Sequence, residues 1–582
     1  MAARRSDEPF LWAKKEGTYR PWIWREVADA VSTLASAMAA LGLQREDRVL
    51  LVSENRPEWL ITDLAVMTAG GITVPAYTTN TSADHAYLVE HSGARLCVTS
   101  TAALARRLAP ALRDREDMRA LLVFEGTDEA ATAPVRTLDW QAALALGRDH
   151  ASVDWSDRLE ADDTACFIYT SGTGGRPKGV MQTHANILAN VRAAADLLRR
   201  IELGGDDVFL SFLPLSHAYE HTAGQFLPMA TGAQIYYAEG IETLSTNLLE
   251  VRPTVLPCVP RLYEVLRQKI LAGVRRQPAW RQKLFDMALD LGTRRYESGG
   301  TLPLHLAPID RVLERLVRDK VRARFGGRLK AMVSGGAPLN RDVGLFFVAL
   351  GLPVLQGYGQ SEAAPVISVN IPGRARVDTV GPPLDGVELR IADDGEILVR
   401  GPNVMKGYWR DPEATAATIR DGWLHTGDVG RLEPEGDLVI TDRKKDIIVN
   451  AGGDNISPQR VEGVLMLEPE IAQALVVGDK RPFLVALLVP DGEFVTRFAK
   501  DTGGRGDLAE CARDPGFVAR IGEAVKRANE HFSAIERIRR FHVMPEPFTV
   551  ENGLLTPTMK LRRPLILKAH AELLESLYAR RG

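Results

Sequence analysis

The sequence predicts an α/β protein: a large N-terminal domain of two similar βαβ subdomains plus a small β-rich unit, followed by a small mobile C-terminal α/β domain. Three observations predict it. Short apolar runs alternate with helical periods from Arg48 and again from Asp207, which indicates parallel βαβ units. After Gly381 the texture changes to short alternating strands with many turns. A charged cluster, Asp442-Arg443-Lys444-Lys445-Asp446, then separates this unit from a further α/β pattern, and charged stretches of little apolar content are where chains divide. The division is read as 1–443 and 444–582.

Taken in order, 48–53 reads as a buried strand, 59–69 as a helix, 72–77 as a strand, 83–91 as a helix and 95–99 as a strand. Met1 to Lys15 carries charges but no long apolar run, so a secretory signal is not expected. The second copy opens with a strand at 207–210, passes through helical residues 217–230 and returns with a strand at 234–237. Residues 262–325 break the alternation and read as a helical insertion, with Leu284, Ala288 and Leu291, then Val312, Leu316 and Val321, at helical spacing. Its last part, 311–330, holds eight basic residues against Glu314 and Asp319. A solvated helix face and a contact with anionic lipid headgroups are both compatible with that excess. Further on, a strand at 329–333 ends in Ser334-Gly335-Gly336-Ala337-Pro338, and Val354-Leu355 leads into Gly357-Tyr358-Gly359-Gln360-Ser361-Glu362, read as a second glycine loop. Beyond the charged cluster come the apolar run 447–449, a turn at Gly452-Gly453, a helix over 458–467 and strands at 473–478 and 483–489.

The stretch with the strongest chemical signal is Tyr169-Thr170-Ser171-Gly172-Thr173-Gly174-Gly175-Arg176-Pro177-Lys178-Gly179, set between two apolar runs. Glycines let successive backbone N–H groups converge on one point, hydroxyls donate, and Lys178 adds charge, which is phosphate-binding chemistry. It is not a Walker loop, because no glycine precedes the lysine and no helix opens after a following Ser or Thr.

Composition narrows the function classes. With 45% hydrophobic and 25% charged residues and a net charge of -3, the chain lacks the basic excess of a nucleic-acid binder. Its four cysteines, Cys97, Cys166, Cys258 and Cys511, lie far apart without CxxC spacing, as expected for free thiols in a reducing compartment. The apolar stretch 343–355 is interrupted by glycines and a proline and falls short of the roughly 18 residues a membrane span needs. A cytoplasmic protein is expected, at most peripheral at the inner face of a membrane.

Five motifs occur here in the order seen in the adenylate-forming superfamily: the 169–179 loop, GlyTyrGlyGlnSerGlu at 357–362, TrpLeuHisThrGlyAsp at 423–428, AspArgLysLysAsp at 442–446 and ThrProThrMetLysLeuArgArg at 556–563. The chain therefore resembles that superfamily over nearly its whole length. Within it, the helical insertion, the 442–446 cluster and the stretch 552–563 resemble the AMP-forming long-chain fatty acyl-CoA synthetases.

The resemblance implies a two-step reaction with ATP and coenzyme A as co-substrates: a fatty carboxylate attacks the α-phosphate to give acyl-AMP, and the coenzyme A thiol then displaces AMP. It implies catalytic roles for Lys560, Glu362 and His217, with Glu362 holding Mg2+ and His217 beside the acyl carboxylate. Thr170, Ser171, Gly172, Thr173, Gly174, Gly175 and Lys178 would face the phosphates. Gly335, Gly336, Ala337, Tyr358 and Gly359 would line adenine, Ser361 would reach the α-phosphate, and Asp428 and Arg443 would hold the ribose. Lys445 maps to the hinge, and Gly452 and Gly453 to the coenzyme A side. One departure stands out: Gly174 replaces the second threonine usual in the family loop. Transfer to a carrier-protein phosphopantetheine uses the same nucleotide residues and stays open, as does a silent nucleotide- or lipid-binding protein on this fold. Relatives include monomers and dimers, so a homodimer stays open too.

Overall fold

A computed structural model describes residues 1–582 apart from 114, 127–134, 152–158, 171–175, 504–505, 557–558 and 580–582. Two eight-stranded sheets form the N-terminal part. In the first, Gly407–Tyr408, Lys178–Thr183, Thr164–Thr170, Ile72–Ala76, Arg48–Val52, Ala94–Thr101, Ala120–Glu125 and Thr137–Asp139 lie side by side. In the second the order is Val366–Val369, Val354–Gly359, Ala331–Ser334, Val255–Cys258, Val208–Ser211, Gln234–Tyr237, Pro9–Lys15 and Thr18–Ile23. Both sheets have a parallel interior and antiparallel pairing at an outer edge. The interior strands read as unbroken apolar runs because helices cover both of their faces; Val49, Leu50, Leu51 and Val52 are all fully buried.

The expectation of two similar subdomains matches this arrangement, with one addition. Pro9–Lys15 belongs to the second sheet, pairing in parallel with Gln234–Tyr237. Its apolar content, chiefly Phe10 and Leu11, is too short to stand out in sequence, yet both side chains are buried.

The insertion is helical as expected, with Pro260–Arg275, Ala279–Glu297 and a continuous helical path from Ala307 to Arg324. Its inner face differs from the expected one. Leu313 and Val317 are buried, whereas Val312 and Leu316 stand 53% and 45% exposed. Of the eight basic residues, Arg318 is wholly buried, donating to the Ala349 and Ala288 carbonyls and pairing with Asp310 and Glu314. That guanidinium, one residue beyond Val317, occupies the interior side of the helix.

A five-stranded sheet built on Glu388–Ile391, Glu396–Arg400, Trp423–Leu432 and Leu438–Arg443 forms the β-rich unit. Beyond it, Ile471–Val477, Leu484–Pro490 and Ile538–Val543 make a three-stranded sheet packed against Pro458–Leu465 and Pro515–Asn529. Its buried apolar residues, from Ile448 to Leu574, form clusters of their own, as a second folding unit requires. All four cysteines are free and buried. Among the described residues no helix is long and apolar enough to cross a membrane.

Candidate active site

Strand ends build this site. Thr164–Thr170 and Lys178–Thr183 pair antiparallel, and the register Thr170↔Lys178 sets Lys178 directly after the phosphate loop. Ser171, Gly172, Thr173, Gly174 and Gly175 lie outside the described residues. Lys178 sits 3.7 Å from Asp411 and 4.8 Å above the ring of Tyr408, so its half-exposed ammonium is steered from two directions.

The run read as a second glycine loop is in fact mostly strand. Val354–Gly359 pairs with Val366–Val369, and the turn comes only at Ser361–Ala363. A parallel sheet presents its ligands at the carboxyl ends of its strands, and that is where Glu362 emerges. Gly359 is required by close approach: a Cβ there would lie 1.8 Å from the Pro365 carbonyl oxygen. Gly335, which opens the loop after Ala331–Ser334, lies flat on the Tyr219 ring, where a Cβ would come within 3.2 Å of Cζ. Gly336 takes φ +81°, while Gly336 and Ala337 are open to solvent.

Glu362 is held from outside its own motif. The Tyr408 hydroxyl donates to Oε1 at 2.8 Å, the Met405 N–H donates to the backbone carbonyl at 2.9 Å, and buried Gln182 donates through Nε2 to the Ser361 carbonyl at 2.8 Å. Oε2 of Glu362 has no partner among the described residues. Tyr408 and Gln182 were not legible as site residues: the tyrosine is 46 positions and the glutamine 179 positions away from its partner.

Asp428 lies on Trp423–Leu432, not in a turn, and is 5% exposed. Tyr358 donates to its Oδ2 at 2.7 Å and Arg443 Nε stands 3.3 Å from Oδ1, in register across the strand pair. Burial raises the Asp428 carboxyl above the ordinary range against the pull of Arg443 and Tyr358. The preceding Gly427, at φ +71°, donates its N–H to buried Glu396, which also accepts from Lys444. Lys444 further pairs with Asp394 at 2.5 Å. Lys445 is exposed and has no ion pair among the described residues.

Lys560 comes from the C-terminal unit. Its backbone is tied to Thr556 in both directions, and Arg563 anchors the following turn to buried Glu462 and the Val476 carbonyl. The side chain stays exposed to solvent while protein surrounds much of it. This enclosure, then Arg443, lowers its pKa to about 8 against Asp428 and Glu362. His217 lies in reach of the same ammonium; burial, then Lys560, lowers its pKa to about 4. The Tyr219 N–H donates to His217 Nδ1 at 3.2 Å, which leaves the ring proton of the neutral imidazole on Nε2.

The fold thus brings Glu362, Asp428, Arg443 and His217 each within electrostatic reach of Lys560. It does not bring Gly452 and Gly453 there. They form an exposed turn between Ile448–Val449 and Asn455–Ile456, closed by Asn450, and the adjoining backbone bonds to Gly478–Arg481 of its own unit. Such a set, with a cation and a carboxylate facing one cleft, suits stabilisation of charge on a phosphoryl group.

Residues 1–409 match the family model described as AMP-binding enzyme, and 445–582 match that of the AMP-binding enzyme C-terminal domain. The chain is 36% identical to long-chain-fatty-acid–CoA ligase FadD15 of Mycobacterium tuberculosis, over 97% of this chain and 93% of that one. It is 30% identical to long-chain-fatty-acid–CoA ligase 1 of Homo sapiens, over 100% of this chain and 84% of that one. Its fold is similar to the adenylation domain of a carboxylate reductase from Mycobacterium chelonae, with TM-score 0.77, 23% identity and coverage of 99% and 89% of the two chains. It is also similar to o-succinylbenzoate CoA synthetase from Bacillus subtilis, with TM-score 0.68, 22% identity and coverage of 97% and 96%.

Proposed function

The chain belongs to the AMP-binding enzyme family, and on that premise we propose that it is a long-chain fatty acid–CoA ligase of the AMP-forming type. It activates a long-chain fatty acid with ATP and transfers the acyl group to coenzyme A, giving acyl-CoA, AMP and pyrophosphate. The observation that carries this reading is the convergence of Lys560, from the C-terminal unit, on Glu362, Asp428, Arg443 and His217. The relatives' names supply the acyl class.

In the first half-reaction a fatty carboxylate oxygen bonds to the α-phosphorus and the bond to pyrophosphate breaks. Negative charge accumulates on the equatorial oxygens, and Lys560 supplies the cation there. His217, neutral with its proton on Nε2, orients the carboxylate by donating a hydrogen bond without discharging it. Lys178 and the 171–175 loop hold the phosphates, Tyr358 and Gly335 to Ala337 hold the base, and Asp428 with Arg443 holds the ribose. Glu362 fits Mg2+: one carboxylate oxygen is steered by Tyr408 and the other has no partner among the described residues, and Mg2+ needs only one or two carboxylates beside the phosphates. When bound, Mg2+ neutralises phosphate charge.

In the second half-reaction the coenzyme A thiol attacks the acyl carbonyl and AMP leaves. The 444–582 unit turns about Lys445, withdrawing Lys560 and bringing the Gly452-Gly453 turn forward. The ion pairs of Lys444 with Asp394 and Glu396 support a pivot at the residue that follows.

A panel of C4 to C20 fatty acids, read by pyrophosphate exchange into ATP and by AMP release with free coenzyme A, tests the reading. The expected maximum is at long chains. Exchange without AMP release until a holo carrier protein is supplied would move the acceptor to phosphopantetheine; no exchange with any acid would overturn adenylation.

A further inference from the structure

The helical path from Ala307 to Arg324 has two apolar faces, and only one is used. Leu313 and Val317 point into the core beneath it. About a quarter turn away Ile309, Val312 and Leu316, spaced i, i+3 and i+7, are 42%, 53% and 45% exposed, and Leu304 in the lead-in is 91% exposed. A helix on a soluble domain requires one apolar stripe, so the second calls for a separate cause.

Charge on the same helix is sorted in a definite way. Its acids are all engaged: Asp310 with Arg295 and Arg318, Glu314 with Arg318 and Arg322, and Asp319 with Arg322. Arg311, Arg315, Lys320 and Arg324 are exposed, and none has an ion pair among the described residues. Inner arginines therefore neutralise the carboxylates, while the outer cations stay uncompensated beside exposed leucine, isoleucine and valine.

We propose that this outer face, from Leu304 to Arg324, docks on an anionic lipid bilayer. Apolar side chains at i, i+3, i+7 enter the acyl boundary and the flanking cations meet lipid phosphates, the pattern by which amphipathic helices lie in an interface. A second copy of the chain is disfavoured as the occupant, because a two-fold contact through this face would set the unpaired cations against themselves. The inference does not depend on the reaction assigned to the cleft.

Flotation of the full-length protein with vesicles tests it, in the absence of nucleotide. Binding is expected to vesicles of equal parts phosphatidylcholine and phosphatidylglycerol, to weaken with salt, and to be absent on phosphatidylcholine alone. The double variants V312D/L316D and R311E/R315E, all at exposed positions, are each expected to lose about ten-fold or more in partitioning while keeping wild-type melting temperature and activity on a soluble acid. Equal partitioning of wild type and both variants would overturn the proposal. So would loss of a concentration-dependent self-association in the variants with no change in vesicle binding, which would assign the face to a second copy.

Discussion

The two halves of the cleft are built on opposite plans. On the N-terminal side the two site carboxylates are held before any ligand arrives: Glu362 by Tyr408 at 2.8 Å, and Asp428 by Tyr358 at 2.7 Å with Arg443 beside it. On the C-terminal side one ammonium, Lys560, crosses the cleft, and its nitrogen has no hydrogen bond among the described residues. The fixed half is pre-organised, so it contributes without reordering at the moment of reaction; the arriving half contributes a charge that can be withdrawn. A single cleft can thereby serve two reactions that need different surroundings.

This contrast breaks first if Lys560 is not the cation of the first step. K560A is expected to lower pyrophosphate exchange by roughly 10²- to 10³-fold while leaving acyl transfer from preformed acyl-AMP to coenzyme A near wild type. Equal losses in both half-reactions would mean that the lysine belongs to the fixed half.

A smaller effect is expected on the other side. Y408F removes the hydroxyl that steers Glu362, so the Mg2+ concentration for half-maximal exchange should rise by roughly ten-fold, with little change at saturating metal. An unchanged metal dependence would remove Tyr408 from the fixed half.

The Lys560 pKa of about 8 adds a pH signature. The ammonium is lost as pH rises through that value, so exchange at low ATP should fall above about pH 8. Saturating ATP, whose phosphates favour the charged amine, should move the fall to higher pH. The acyl-transfer step should not share this limb. A pH profile identical for both half-reactions would contradict the division of labour.

The last expected effect leaves catalysis aside and concerns the stability of the fixed side. Glu220 is buried beside His221, and burial pushes its pKa up to about 8 against the opposing pull of Ser211. Between the ordinary 4.5 and 8 the folded state binds more protons than the unfolded one, so stability should fall as pH rises through this window and level off above it. E220Q should remove that fall, with a gain of about 1 to 3 kcal/mol at pH 8 and almost none below pH 4.5, measured by denaturant unfolding.

Much of the site was legible because its chemistry is local. Thr170 and Lys178 flank a glycine-rich stretch between apolar runs, and Glu362 is the only acid in its stretch. Asp428 was less so: an acid after glycine suggests a turn residue, and only the register against Arg443 shows it on a strand. Val312 and Leu316 obey helical spacing yet face outward, since periodicity gives a stripe without saying which neighbour covers it.

The sequence alone determined the alternation of strands and helices, the change of texture after Gly381, the charged break at 442–446 and the chemical types available for phosphate, ribose and metal. These depend on residues within one or two turns of each other. Tertiary structure alone decided that Tyr408 steers Glu362, that Gln182 ties one sheet to the turn of the other, that Pro9–Lys15 completes the second sheet and that Lys560 meets Glu362, Asp428, Arg443 and His217. Hydrogen bonds and charge contacts act over a few ångströms of space. Which distant residues come that close is set by how the sheets and the C-terminal unit pack, and no local pattern records it.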